Sequence, residues 1–301
     1  MSPIDALRQK MESPATVRVG GAFDAMSAKL VEMHGFDAVW AGSFAISATH
    51  ALPDASIMTM TEFLHVTTSM VDACKIPVIA DCDTGFGGPS NVSHMVKKYE
   101  NAGVAAISIE DKVFPKQNSL LEGGSQDLLS EKEFVAKIIA AKEAKKNSDF
   151  MIIARTEALI AGLDMNEAIQ RARAYEKAGA NAILIHSKKD TPIEVYKFAD
   201  TWGGNLPLVI VPTSYPNINT VDVKKHNIKM VIYANQTLRA AHASMNRVLE
   251  QIKNLNNLNE IKEEISTMED IFKLQKMYEL KTEEEIDRKS TRLNSSHVAL
   301  S

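Results

Sequence analysis

The runs PVIADCD (77–83), AAISIED (105–111) and FMIIART (150–156) decide the fold. Each is a short block of apolar and β-branched residues that ends in charged or hydroxyl side chains. Such blocks suit strands buried on both faces, because a half-exposed strand would alternate apolar with polar residues. Outward from them the same pattern appears at VRVGGAF (17–23), AVWAGS (38–43), AILIHS (182–187), PLVIVPT (207–213) and MVIYAN (230–235). Helical periodicity fills the gaps, as at 61–74, 91–102, 131–146 and 165–179. Two of these segments run into Ala102-Gly103 and Ala178-Gly179, where glycine suits a helix C-cap. Eight βα repeats in about 240 residues predict an α/β chain closed into a (β/α)8 TIM barrel. No GxGxxG follows the first strand, which removes the chief support for an open dinucleotide-binding sheet.

Composition narrows the class further. The 301 residues carry 34 Lys plus Arg against 38 Asp plus Glu, a formal charge of −4, and are 45% hydrophobic. That balance excludes a disordered chain and gives no electrostatic footprint for nucleic acid or an anionic membrane. Cys74 and Cys82 make no disulfide scaffold, and no CxxC pair points to zinc. With no signal-peptide pattern and no apolar run of membrane-spanning length, we expect a soluble cytoplasmic protein, in which the sequons at Asn91 and Asn235 are chance matches.

We expect one domain over 1–286. After the last strand come a helix over 236–254, the polar link NLNNLN (254–259) and an amphipathic helix over about 260–285. Ile261, Ile265, Met268 and Phe272 fall near helical spacing, so this last helix needs a surface to cover, on its own barrel or on a neighbouring subunit. The pattern changes at Asp287. DRKSTRLNSSH (287–297) is what a common sequencing-adapter sequence encodes, so 287–301 reads as a non-native tail and carries no functional argument.

In a (β/α)8 barrel the chemistry sits at the C-terminal ends of the strands. Strand three ends in Asp81 and Asp83, strand four in Glu110 and Asp111, strand five in Arg155 and strand six in His186. Thr213 and Asn235 end the last two, and Asp54 lies in the loop after strand two. Asp81 and Asp83 are two apart, which on an extended strand puts both on one face. Crowded with Glu110, they repel unless a cation or a proton intervenes. Hard oxygen donors without His or thiolate favour Mg2+ or Mn2+, although exposed strand-end acids or helix caps would read the same way. Cys82 between them should pack as a small apolar residue. Arg155 suits carboxylate or phosphoryl oxygens and His186 suits proton transfer, or both simply hold loops in place. The long polar segment 110–128, with Lys112, Lys116, Asn118 and Ser119 before Gly123-Gly124, has the length of a lid. TGFGGPSN (84–91) reads as a tight turn into the next helix.

EDKVFPKQNSL (110–120) resembles the signature of the phosphoenolpyruvate mutase family, within the isocitrate lyase and phosphoenolpyruvate mutase superfamily. ADCDTGFG (80–87), ARTEALIAG (154–162), ILIHSKK (183–189), VPTSYP (211–216) and DIFKLQ (270–275) extend the resemblance from about Val17 to about Thr282. It implies a barrel whose eighth helix is swapped between subunits in a dimer of dimers. It further implies Asp81 as direct ligand of Mg2+, with Asp83 and Glu110 on metal-bound waters. The backbone N–H groups of Gly42, Ser43 and Phe44 would meet the substrate carboxylate and carbonyl oxygens, and Arg155 and His186 would hold the phosphoryl group or the substrate. Lys116, Asn118 and Ser119 would come from a gating loop over roughly 111–129, with Asp54 near the migrating phosphorus. The implied reaction interconverts phosphoenolpyruvate and phosphonopyruvate, the entry to phosphonate biosynthesis.

Phosphonopyruvate hydrolase, a relative with the same barrel and metal site, is the main rival. Its lid has threonine where this chain has Asn118, which favours the mutase, yet HALPDASIMTMTE (50–62) and ILIHSKKDTP (183–192) also resemble the hydrolase. Lyases of the superfamily carry a lid cysteine, absent here. WAGS (40–43) reverses the serine-glycine order of several mutases, a departure that backbone contacts should tolerate. A non-catalytic scaffold would be expected to have lost some of Asp54, Asp81, Lys116, Arg155 and His186, and all are intact.

Overall fold

The computed structural model describes residues 1–255 and 257–298, with side chains as far as Arg288. Eight parallel strands form in sequence order: β1 Val17–Ala22, β2 Ala38–Ala41, β3 Val78–Asp81, β4 Ala106–Glu110, β5 Met151–Thr156, β6 Ala182–Ile185, β7 Leu208–Ile210 and β8 Ile228–Tyr233. Each pairs with the next, and β8 returns to β1 with Met230 opposite Val17, so the sheet closes as the expected (β/α)8 barrel. The strands are shorter than the apolar runs. Cys82, Asp83, His186 and Thr213 lie beyond the hydrogen-bonded ladder, because there the chain must leave the sheet to feed the next helix.

The helices follow from capping and spacing. Ser130 and Glu133 form a reciprocal capping box ahead of helix Glu131–Ala144, which buries Phe134, Ile138 and Ala141 along one stripe. Asp164 caps helix Met165–Ala178, whose buried face holds Ala168, Ile169, Ala172 and Tyr175, and Gly179 ends it at φ +104°. The Phe134 and Tyr175 rings meet edge to face with centroids 4.7 Å apart, and burying each such side chain contributes about 1.5–3 kcal/mol.

The chain divides into two compact units, Met1–Ala240 and Ala241–Ser301. The first holds the barrel. The second begins within helix Gln236–Asn254, which has the expected bounds. Over 260–285, where one helix is expected, the chain is divided instead. A 3-10 segment Leu258–Glu264 buries Ile261, helix Met268–Leu274 follows, and helix Met277–Val298 starts after Lys276 at φ +56°. The break has a local cause: Thr267 and Asp270 form a capping box, which requires Thr267 to be extended and starts a new helix there. Arg247 and Gln251 bond the two Glu264 carboxylate oxygens at 2.8 and 2.6 Å, tying the 3-10 segment to the long helix. The segment read as a non-native tail, 287–301, is helical as far as Val298; its side chains beyond Arg288, and residues 299–301, lie outside the described residues. Among the described residues no helix is long and apolar enough to cross a membrane.

Barrel closure rests on one close approach. A Cβ at Gly21 would sit 2.1 Å from the Ala234 carbonyl oxygen and 2.8 Å from that of Tyr233, both backbone atoms that cannot swing away. Thr237 Oγ1 also donates to Gly21 O at 2.7 Å. We expect Gly21→Ala to destabilise the protein by about 3 kcal/mol or more, since overpacking against backbone has no soft neighbour to yield. Urea denaturation checks this, and a loss below about 1 kcal/mol would show that the seam tolerates a side chain.

Candidate active site

The strand ends converge on a cavity of about 170 Å3, lined by Asp54, Asp81, Lys116, Asn118, Ser119, Arg155 and His186, with Gly42, Ser43 and Phe44 along one side. Asp83 and Glu110 do not line the cavity but are buried. Thr213 and Asn235 complete the wall, and Asn235 Nδ2 donates to Thr213 Oγ1 at 3.4 Å.

Asp81 and Asp83 do face the same cluster, though not by strand periodicity. β3 stops at Asp81, and Asp83 takes the left-handed conformation at φ +50°. The turn aims it back, with its N–H donating to Asp81 Oδ1 at 3.3 Å. The predicted repulsion is present. Burial pushes the Asp83 carboxyl up to about 7, with Asp81, Asp54 and Glu110 adding to the rise and Lys116 opposing it. Cys82 is buried as expected, and desolvation holds its thiol well above the usual range. TGFGGPSN makes the expected turn, with positive φ at Gly85, Phe86 and Gly87 before helix Pro89–Asn101.

The lid supplies the positive charge. Lys116 Nζ lies 2.6 Å from Asp83 Oδ1, 3.0 Å from Asp54 Oδ1 and 3.3 Å from Ser43 Oγ, which in turn donates to Asp81 Oδ2 at 3.0 Å. Burial alone would strip this ammonium of its proton, but Asp83, Glu110 and Asp54 hold it well above the ordinary lysine value. Asn118 Nδ2 donates to Asp54 Oδ2 at 2.7 Å. Burial raises the Asp54 carboxyl, yet Lys116 and Asn118 outweigh it and keep the group lowered and charged. At the base of the lid Lys112 and Leu128 form an antiparallel bridge, and Leu129 N–H donates to Asp111 O at 2.9 Å.

A divalent cation fits this donor set in one way. Asp83 Oδ2 and Glu110 Oε1 are buried with no hydrogen-bond partner and no ion pair among the described residues, an arrangement that is costly unless something polar meets them. Among the described residues no three His, Cys, Asp or Glu side chains stand close enough to grip an ion together. The geometry therefore suits a hydrated hard cation touching one carboxylate, with the unmet oxygens holding its waters.

One expectation changes. Gly42 N–H donates to Ala22 O at 3.4 Å, so it is engaged with β1 rather than free for a ligand. Ser43 and Phe44 open helix Ser43–Thr49, whose first N–H groups have no intrahelical partner. Asp111 is turned away from the cavity: it accepts from Tyr175 OH at 2.6 Å and Glu157 N at 2.8 Å and pairs with Arg171 at 3.3 Å, which makes it a structural anchor.

Reading the strand ends stopped at Arg155 and so missed Glu157. The signal was there, since two residues apart on an extended segment share a face. Glu157 is wholly buried and bonds Arg155 Nε and His186 Nδ1, the latter at 2.9 Å. Burial would raise its carboxyl, but Arg155, His186 and Lys112 hold it well below the carboxylate range. Arg155 Nη1 also lies 3.3 Å from Glu110 Oε2 and Nη2 lies 2.8 Å from His186 Nδ1. With Nδ1 occupied, His186 is left with Nε2 for other contacts.

His186 is depressed, chiefly by burial and then by the Arg155 charge, with Glu157 opposing both. A depressed base contributes stability above the free-histidine value and loses it as pH falls. We expect the ring to remain neutral at about pH 6.5, where a free histidine is half protonated. Nitrogen-resolved NMR of the imidazole checks this, and a half-charged ring at that pH would contradict it.

Comparisons with known proteins identify the relatives of this chain. The family profile described as phosphoenolpyruvate phosphomutase matches residues 7–253. The phosphonopyruvate hydrolase of Variovorax sp. (strain Pal2) is 42% identical over 91% of this chain and 95% of its own. The solved phosphoenolpyruvate phosphomutase of Streptomyces platensis subsp. rosaceus is 45% identical with a TM-score of 0.92, covering 94% of this chain and 98% of that one. A phosphonopyruvate hydrolase solved with oxalate and Mg2+ is 39% identical with a TM-score of 0.88, over 94% and 98%. A closed barrel, an acidic cavity under a basic lid and a match over most of the chain lead to one assignment: the protein belongs to the phosphoenolpyruvate phosphomutase family, within the isocitrate lyase and phosphoenolpyruvate mutase superfamily.

Proposed function

We propose that this enzyme is a phosphoenolpyruvate mutase, interconverting phosphoenolpyruvate and phosphonopyruvate by moving phosphorus between oxygen and carbon of one molecule. The observation that carries the reading is the 2.7 Å hydrogen bond from the lid's Asn118 to Asp54. It places an amide over the cavity at the position where the hydrolase pattern has threonine, and it keeps Asp54 charged and fixed. Lid residues Lys116, Asn118, Ser119 and Leu120 line the cavity, where they can shield a bound phosphorylated acid from water. That matters because a loose, metaphosphate-like species is captured by any water within reach.

The chain's own residues do the positioning. Arg155 and His186 face the phosphoryl oxygens from one wall, the guanidinium supplying positive charge for them. Asn118 adds an amide from the lid, and the Ser43 and Phe44 N–H groups orient the substrate carboxylate. Asp54, pinned between Lys116 and Asn118, sits near the migrating phosphorus and holds both lid groups in place while the pyruvate carbon turns towards it. Mg2+ or Mn2+, held by Asp81 directly and by Asp83 and Glu110 through water, would supply positive charge for the enolate oxygen. We further propose a cytoplasmic homotetramer, a dimer of dimers in which C-terminal helices are exchanged. The exposed Met245, Leu249 and Ile252 on helix Gln236–Asn254 support it, as an apolar stripe for a second copy to cover.

The hydrolase is the second reading, favoured by the 42% identity to the Variovorax enzyme. Phosphorus NMR with phosphonopyruvate and Mg2+ separates the two. Growth of phosphoenolpyruvate without free phosphate supports the mutase, and phosphate with equimolar pyruvate means a hydrolase. We expect Asp54→Ala to lower turnover roughly 100-fold or more, the scale lost when reacting groups are mispositioned, with the circular dichroism spectrum unchanged. Near-normal turnover would remove Asp54 from the mechanism. For Asn118→Thr we expect a larger share of phosphate among the products, and an unchanged ratio would show that the lid amide does not set the partition.

A further inference from the structure

Glu157 has four partners, and they divide between its two oxygens. Oε1 accepts from Arg155 Nε and meets His186 Nδ1 at 2.9 Å, so it faces the cavity wall. Oε2 accepts from Ser119 Oγ at 2.6 Å and lies 3.6 Å from Lys112 Nζ, so it faces the lid. The Ser119 hydroxyl is fully used. Its single proton goes to Glu157, and its lone pairs take Lys112 Nζ at 2.8 Å and Arg155 Nη2 at 3.1 Å. No donor remains for a substrate, although Ser119 borders the cavity. Lys112 Nζ also donates to Gln117 O at 2.8 Å, so this ammonium fastens the lid's first arm to the same carboxylate.

We propose that Glu157 is a positioning residue, and that Ser119 and Lys112 form with it a latch that sets Arg155 and His186 when the lid is closed. The role rests on the phosphoryl-handling site described above. Arg155 lies between two buried carboxylates, Glu157 and Glu110, and its guanidinium takes whichever pull is stronger. With the lid shut, Ser119 and Lys112 satisfy Oε2, and Glu157 shares its charge between lid and wall. With the lid open, Oε2 loses the Ser119 hydroxyl, and Lys112 loses Gln117 O and Ser119 Oγ, the two oxygens that aim its ammonium at Glu157, so in a low-dielectric pocket Oε2 must draw more on the guanidinium or on water. Arg155 then leaves the orientation that the phosphoryl group needs. Closure and competence are thereby one event, which keeps an open, wet site from starting the reaction.

The test uses Ser119→Ala and Ser119→Thr in the full-length protein. Lid opening is read without substrate, as the rate of tryptic cleavage after Lys116. We expect Ser119→Ala to be cleaved roughly tenfold faster than wild type, the effect of losing one hydrogen bond to a buried charge, and Ser119→Thr to restore protection. In turnover of phosphonopyruvate with Mg2+, Ser119→Ala should lower kcat at least tenfold with KM changed less than about threefold, again restored by threonine. Glu157→Gln should lower kcat as well, and the double variant with Ser119→Ala should be no slower than the slower single, because both act through one network. Equal cleavage of wild type and Ser119→Ala would overturn the latch, and faster cleavage with unchanged kcat would overturn the positioning role. A wild-type protein that turns over phosphonopyruvate to neither product would instead sink the proposed function, while the cleavage rates would still judge the latch.

Discussion

Carboxylates cannot be crowded into the dry top of a barrel without a positive charge among them. Asp54, Asp81, Asp83 and Glu110 meet there because the loop after β2 and the ends of β3 and β4 deliver them, and their mutual repulsion is the constraint that the rest of the site answers. Within the protein the answer is Lys116, which reaches in from the lid and contacts two of them. Asp83 Oδ2 and Glu110 Oε1 are left unmet among the described residues, which suits a hydrated divalent cation from outside the protein. The lid is thus held down partly by the charge it neutralises, and the same lysine that closes the site lowers the electrostatic penalty of having built it.

A second buried charge cluster sits beside the first and works differently. Glu157 is met there by the charges of Arg155 and Lys112 and by the His186 ring, with almost every donor and acceptor engaged. Full satisfaction makes this cluster rigid, whereas the acidic one is left incomplete. A rigid wall next to an unfinished pocket suits a reaction governed by orientation, because the wall keeps its donors fixed while the pocket stays open to what it binds. Asp111 links the two through the Glu157 N–H and the base of the lid, although it contributes nothing to the cavity itself.

Much of the architecture was legible in the linear chain. Doubly buried strands leave continuous apolar runs, capped helices leave Ser, Thr or Asp three residues before an acid, and a barrel forces strand ends to one face. The same logic exposed most of the site, since polar residues at the ends of apolar runs have few other reasons to be there. It failed where geometry departs from the regular period. Asp83 reaches its place through a left-handed turn, Glu157 lies one residue past the strand, Gly42 spends its N–H on Ala22, and the expected C-terminal helix is broken by the Thr267 capping box.

Local sequence, then, determined the barrel, the order of its strands and the chemical types gathered at their ends, because periodicity and capping are properties of near neighbours. Only the tertiary structure decided which oxygen meets which nitrogen. Ser119 and Glu157 are separated by 38 residues, and Lys116 and Asp54 by 62. Contacts over such distances depend on how the lid folds back across the barrel mouth, and no spacing rule in the chain encodes that path.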